Sequence, residues 1–228
     1  VVAPKDISPR TRKAASWVIN RAWSWISVLG VVASGDALSK RYGHMGEGSS
    51  IAFPPGAVFG EQWISIGSDT MIGPHVSVAA GMFGEYFPDD AFPIVSIGDR
   101  CAIGRGSTIL GRARIEIGDD VMTGPHVYIT DHNHTYDDLD VPIGKQWFEH
   151  DPVSIGSGSW IGTGAIILPG TRLGRHVTVA GGAVVRGEIP DNSVVAGIPA
   201  KVVRRHTEAG GWDPPLTRVI ETPDGWFA

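Results

Sequence analysis

One aliphatic residue in every six dominates the chain between Ile155 and Arg186. Reading at that step gives Ile155, Ile161, Ile167, Leu173, Val179 and Val185, and Gly156, Gly162 and Gly174 stand directly behind three of them. A helix places apolar residues three and four apart, and a half-buried strand alternates by two. A period of six satisfies neither. It fits short strands joined by turns, each sending one aliphatic side chain into a shared interior, which is the hexapeptide signature of a parallel β-helix. The same period runs upstream through Ile66, Ile72 and Val78, then Ile97, Ile103 and Ile109, then Ile117, Thr123 and Ile129. Between Ile109 and Ile117 the step is eight, so a two-residue bulge in GRARIE belongs in a turn. Three hexapeptides make one triangular coil, giving five coils and a partial one around Ile51 to Ile64. Each coil buries its aliphatic column only against its neighbours, so such repeats are stable in series. The expected fold is an all-β solenoid. Periodicity leaves its hand open.

Ahead of the solenoid, Ser8-Pro9 starts a helix, the serine capping and the proline in the first turn. Ala15, Val18, Ala22, Trp25 and Leu29 then fall on one helical stripe. Arg21 interrupts it, and the uncharged run from Ala22 to Gly35 is too short to span a bilayer. The cluster Arg10, Arg12 and Lys13 lacks the surroundings of a signal peptide. The expectation is a helix packed on the solenoid or on a partner subunit, the alternative being peripheral membrane contact through Trp17, Trp23 and Trp25. Asp36 to Tyr42 reads as a second short helix. The chain thus divides into a helical region at 1–50, a solenoid at 51–205 and a tail at 206–228 that crosses another subunit or stays unstructured. Two excursions, 81–93 and 133–152, leave the regular coil; loops of that length are usually functional or disordered, and their aromatic content favours an ordered, substrate-contacting role.

The 228 residues include 31 glycines and 16 prolines, as turn-dense repeats require. A lone cysteine, Cys101, excludes an intrachain disulfide framework, suits a reducing, cytoplasmic setting and reads as a turn or core filler. The net charge of −5 argues against a bulk nucleic-acid partner. An anionic ligand would need a local basic cluster, and Arg186, Lys201, Arg204 and Arg205 form one within twenty residues. The two GPHV copies put His75 and His126 at equivalent turns, as turn formers rather than ligands.

The stretch from Pro152 to Arg205 resembles the hexapeptide-repeat acyltransferases, most closely the galactoside and maltose O-acetyltransferase branch. The matching pieces are WIG (Trp160 to Gly162), ILPG (Ile167 to Gly170), IPDNSVVAG (Ile189 to Gly197) and IPAKVV (Ile198 to Val203). The likeness covers about Ser50 to Arg205 and is sharp from Tyr128 onward. A looser resemblance reaches actinobacterial acyltransferases that decorate methylglucose lipopolysaccharides. The resemblance implies a left-handed parallel β-helix, a homotrimer that could pair into a dimer of trimers, and acyl-coenzyme A, acetyl-CoA or succinyl-CoA, as donor, with no metal. It implies a carbohydrate acceptor, for which the aromatic loop 81–93 suits stacking on sugar faces.

On the same alignment YITDHNHTYDD is the catalytic loop, with His132 as general base. A sugar hydroxyl is a poor nucleophile until its proton is removed, and imidazole titrates near neutrality. Its second ring nitrogen needs an acceptor: a backbone carbonyl, Asp131 or Asn133. His134 is the rival base. In the donor site the resemblance implies a backbone N–H at Thr163 for the developing oxyanion, small Gly181 beside the pantetheine arm, and Lys201 and Arg204 on the nucleotide phosphates. A lysine common in the family is missing here, and Arg186 stands near its place. Two other readings stay open: a zinc enzyme like the gamma-class carbonic anhydrases, whose histidine pair four apart is not found among these eight histidines, and a non-catalytic assembly module.

Overall fold

Each strand is only two to four residues long over most of the chain, because Gly, Asp and His residues bend the backbone every sixth position. The computed structural model describes residues 8–81 and 93–217. In it the chain visits three parallel sheets in fixed cyclic order. The first sheet runs His44–Met45, Ile64–Ile66, Val95–Ile97, Ile115–Ile117, Val153–Ile155, Arg172–Leu173 and Glu188–Ile189. The second takes Ser50–Ile51, Met71–Ile72, Ala102–Ile103, Met122–Thr123, Trp160–Ile161, Thr178–Val179 and Ser193–Gly197. The third takes Val58–Phe59, Ser77–Ala80, Thr108–Gly111, Tyr128–Thr130, Ile166–Ile167 and Val184–Val185.

Register makes the period of six into a core. Ile117 lies between Ile97 and Ile155, and Ile129 between Ile109 and Ile167, so each aliphatic side chain stacks on its equivalent one coil away. All the sixfold positions are buried. Thr123 fits in this column because its hydroxyl accepts from the Gly104 N–H at 2.8 Å, which satisfies the one polar atom it brings inside. A second interior set, two residues ahead of the sixfold positions, includes Val76, Val121, Val127, Ala165, Val177 and Ala183. Cys101 belongs to it: its Sγ faces the Gly118 carbonyl at 3.1 Å, and burial pushes the thiol pKa up, so it is a core filler as expected. His75 (φ 61°) and His126 (φ 59°) occupy left-handed turn positions, the role read for them from sequence.

The coil is longer than the period suggested. It begins at His44–Met45, paired with Ser65 and Ile66, ahead of the expected start at residue 51. At the other end Ile189 pairs with Leu173 and Val195 with Val179, so the coil runs past the last sixfold position, Val185. A four-residue step from Val185 to Ile189 breaks the count without breaking the column. Ala200–Thr207 then folds back antiparallel on Ser193–Gly197, and Gly211–Asp213 pairs with it in turn, closing the coil's edge with part of the expected tail. Most of the 81–93 excursion lies outside the described residues.

The N-terminal helix spans Pro9–Leu29, capped by the Ser8 hydroxyl, which accepts from the Thr11 N–H at 3.2 Å. It contains no buried residue. Its end meets the coil through Trp23 and Phe53, whose ring centroids are 6.4 Å apart. The expected packing against the solenoid is therefore not found: the apolar stripe faces outward. The second short helix reduces to one 3-10 turn, Ser39–Arg41. Among the described residues no helix is long and apolar enough to cross a membrane.

Candidate active site

The excursion at 133–152 is an ordered hairpin. It leaves the third sheet after Thr130 and pairs His132–His134 with Phe148–His150, so that His132 faces His150 and His134 faces Phe148. Thr135 donates its hydroxyl to the Trp147 carbonyl at 2.9 Å, and the Gln146 side-chain amide ties down Asp138 and Val141 at 2.8 Å each. The Arg112 guanidinium carbon stands 4.3 Å from the centre of the Phe148 ring and 4.9 Å from that of Trp147, a cation–π clamp between bulge and hairpin.

Asp131, at the root of the hairpin, is fully buried. Its carboxylate accepts from the backbone N–H groups of Arg112, Ala113 and Arg114 at 2.8–3.0 Å and meets His132 Nδ1 at 3.0 Å. Burial by itself would raise its pKa. The hydrogen bond to His132 and the three backbone N–H groups outweigh that and hold it below the usual 3.8, so it is ionised at neutral pH. The three donors come from GRARIE: the two extra residues turn successive N–H groups toward one point. Of the three acceptors open from sequence, the structure provides Asp131. The bulge was visible as a broken period, but nothing in the pattern said which carboxylate it would face.

His132 is held on several sides, by Asp131, by Thr130 Oγ1 at 3.4 Å from Nδ1, and by an edge contact with Phe148 at 5.8 Å. Its side chain keeps 17% of its surface exposed. His134 is exposed and lies against Phe148 at 4.3 Å between ring centres. Below the hairpin a cavity of about 70 Å³ is lined by Asn133, Glu149, His150, Asp151 and Arg186 among others.

The remaining residues singled out from sequence fall at another edge. Thr163 sits in the turn between the second and third sheets, and its carbonyl accepts from the Gly182 N–H at 2.9 Å. Gly181 lies on top of it: a Cβ there would stand 3.2 Å from that carbonyl oxygen. Such close stacking needs glycines, since a Cβ on Gly162 would come within 2.5 Å of the Gly181 nitrogen. Val195 pairs with Val179 and Lys201 with Ala196, so Lys201 continues the same edge, and Arg204, paired with Val194, stands further along the strand. Thr163, Gly181 and Lys201 thus follow one ridge, whereas Arg186 shares the corner of His132. Because Tyr128 pairs with Ile166, Thr163 and His132 flank opposite edges of the third sheet. No group of three or more His, Cys, Asp or Glu arranged to hold a metal occurs among the described residues.

Two family descriptions match this chain: the bacterial transferase hexapeptide (six repeats) over residues 152–187, and the hexapeptide repeat of succinyl-transferase over 94–130. A Mycobacterium tuberculosis protein named as an acetyltransferase is 31% identical over 211 residues, which are 88% of this chain and 65% of that protein. WbbJ of Escherichia coli, named as a lipopolysaccharide biosynthesis O-acetyl transferase, is 33% identical over 139 residues, 54% of this chain and 71% of that protein. The chain therefore spans about two thirds of the length of these relatives. Among solved structures, the N-acyltransferase AntD of Bacillus cereus with dTDP and 3-hydroxybutyryl-CoA shares the fold, with a TM-score of 0.62 at 16% identity over 78% of this chain and 93% of that one. Repeat, register and relatives agree: this chain belongs to the hexapeptide-repeat acyltransferases.

Proposed function

We propose that the protein is an acyl-CoA-dependent O-acyltransferase, built on a left-handed coil, that moves a short acyl group, acetyl or succinyl, to a hydroxyl of a sugar or saccharide. The carrying observation is the His132–Asp131 pair. Ionised Asp131 holds the proton on Nδ1, which leaves Nε2 free to accept one. A hydroxyl brought to Nε2 loses its proton as its oxygen attacks the thioester carbonyl. The tetrahedral intermediate then collapses with cleavage of the C–S bond, and the departing coenzyme A thiolate takes up the proton held on Nε2. Positioned acid–base catalysis of this kind contributes roughly 10²–10⁴-fold. His134 has an aromatic neighbour instead of a carboxylate, which favours His132 as the base.

The donor suits the other ridge. Thr163 and Gly181 present a narrow, exposed strip of backbone, and Lys201 and Arg204 add positive charge along the same direction, as an extended thioester with an anionic end requires. The Thr163 N–H would stabilise the oxyanion. Arg186, beside the cavity under the hairpin, is better placed for the acceptor side. The relatives' names, WbbJ in particular, and the acyl-CoA carried by AntD support saccharide and thioester as the two substrates.

Reacting atoms must approach to roughly 3–3.5 Å, yet His132 and Thr163 flank opposite edges of one sheet. The separation supports a homotrimer in which the His132 edge of one copy faces the Thr163–Lys201 ridge of the next. Thiol release from acetyl-CoA and succinyl-CoA, followed over a panel of mono- and oligosaccharides, tests the reading. Acceptor-dependent release lost in His132→Ala is expected; activity that tracks stoichiometric zinc would replace it with the hydratase alternative.

A further inference from the structure

The helix Pro9–Leu29 carries a surface that the reaction does not use. At 100° per residue, Trp25, Val18, Leu29, Ala22, Ile26, Ile19 and Trp23 fill one arc of about half the circumference. The bulky members are open to solvent: Trp23 at 54%, Trp25 at 56% and Ile19 at 66%. Arg12 stands among the apolar residues at one border and Arg21 at the other, with its guanidinium 5.9 Å from the centre of the Trp25 ring. Arg10 and Lys13 project from the remaining side. From Ser8 to Gly35 there is no acidic residue, so this segment carries +4 and the remainder of the chain −9 of the total −5.

We propose that this helix lies flat on an anionic bilayer surface and docks the protein there. Arg10, Arg12, Lys13 and Arg21 leave no apolar run long enough to span, whereas a half-apolar helix with tryptophans and bordering arginines is suited to the headgroup boundary, where long cationic side chains reach the phosphates. The opposite charge of the remainder holds the coil away from the same surface and orients the helix toward it. Charge thus favours an anionic membrane over a neutral one. The reading is independent of the acyl transfer chemistry.

The full chain would be sedimented with phosphatidylcholine vesicles, with and without about a third phosphatidylglycerol. Each basic residue near such a surface is worth roughly fivefold in partition, so removing the two bordering arginines with Arg12→Gln and Arg21→Gln should weaken binding about 25-fold, and raised salt should do likewise. Val18→Asp with Ile19→Asp should abolish binding at unchanged melting temperature, since neither side chain is buried. Equal partition into neutral vesicles, or none into anionic ones, overturns the proposal. So does a fall in oligomer mass in the Asp variant with vesicle binding intact, which would assign the face to a second copy of the chain.

Discussion

Replacing Asp131 with asparagine perturbs the residue that joins the proposed chemistry to its scaffold. In the wild type one carboxylate oxygen receives the Ala113 and Arg114 N–H groups at 2.8 Å, and the other stands 3.0 Å from His132 Nδ1, with the Arg112 N–H shared between them. An asparagine must keep its oxygen toward the backbone donors, because its own NH2 would oppose them. The NH2 then points at Nδ1, which has to become an acceptor, and the imidazole proton moves to Nε2, the atom needed as base. The same inversion in a Ser-His-Asp triad costs about 10⁴ in kcat, so a fall of 10²–10⁴ with little change in KM is expected here. Stability falls less. Exchanging charge-assisted for neutral hydrogen bonds loses roughly 1 kcal/mol at each of three donors, partly recovered by relaxation, so about 1–3 kcal/mol. For a chain of this size that is a drop of about 3–10 °C in Tm. The sign of the pH dependence follows from the depressed pKa. The stability due to ionised Asp131 is complete above its ordinary 3.8 and is lost as pH falls through the lower folded value. The stability gap between wild type and variant should therefore be flat near neutrality and close in strong acid. Thiol-release kinetics and thermal melts between pH 2 and 8, in the range where carboxylates titrate, read both quantities. Loss of stability with kcat within about threefold of wild type would mean that Asp131 only clamps the bulge, and the assignment of His132 would lose its support.

His132→Ala should lower kcat by at least about 10²-fold while His134→Ala stays near wild type; the reverse order in thiol-release assays would exchange their roles. Gly181→Val, which places a side chain against the Thr163 carbonyl and across the proposed donor strip, should raise KM for acyl-CoA far more than KM for the acceptor. Lys201→Glu should also raise KM for acyl-CoA and flatten its dependence on ionic strength, measured between low and physiological salt. Ile161→Ala, at a fully buried position in mid-column, should cost about 2–5 kcal/mol in denaturant unfolding because neighbouring coils hold the cavity open.

The column of aliphatic residues was legible because stacking is local: each coil meets only the coils beside it, so one residue type at one period states the whole interior. The turn roles of His75 and His126 were legible for the same reason, two copies at equivalent points of the repeat. Interruptions were harder. The step of eight at GRARIE and the step of four after Val185 look alike as broken rhythm, yet one gathers backbone donors around Asp131 and the other merely shortens a turn. The likeness at YITDHNHTYDD pointed to His132, but three acceptors stayed open for it. Only the fold brought Arg112–Arg114 against Asp131, residues 17–19 positions apart in the chain. The helix was predicted from its cap and stripe; of the partners expected for it the solenoid is not one, because an apolar stripe says that something covers it without saying what. Sequence by itself determined the repeat and the interior, properties of neighbours in the chain or in the next coil, and its family likeness singled out His132 as the proposed base. The acceptor for that side chain, the two edges that divide the proposed site and the open face of the helix are long-range matters of register and corner, and only the tertiary structure decided them.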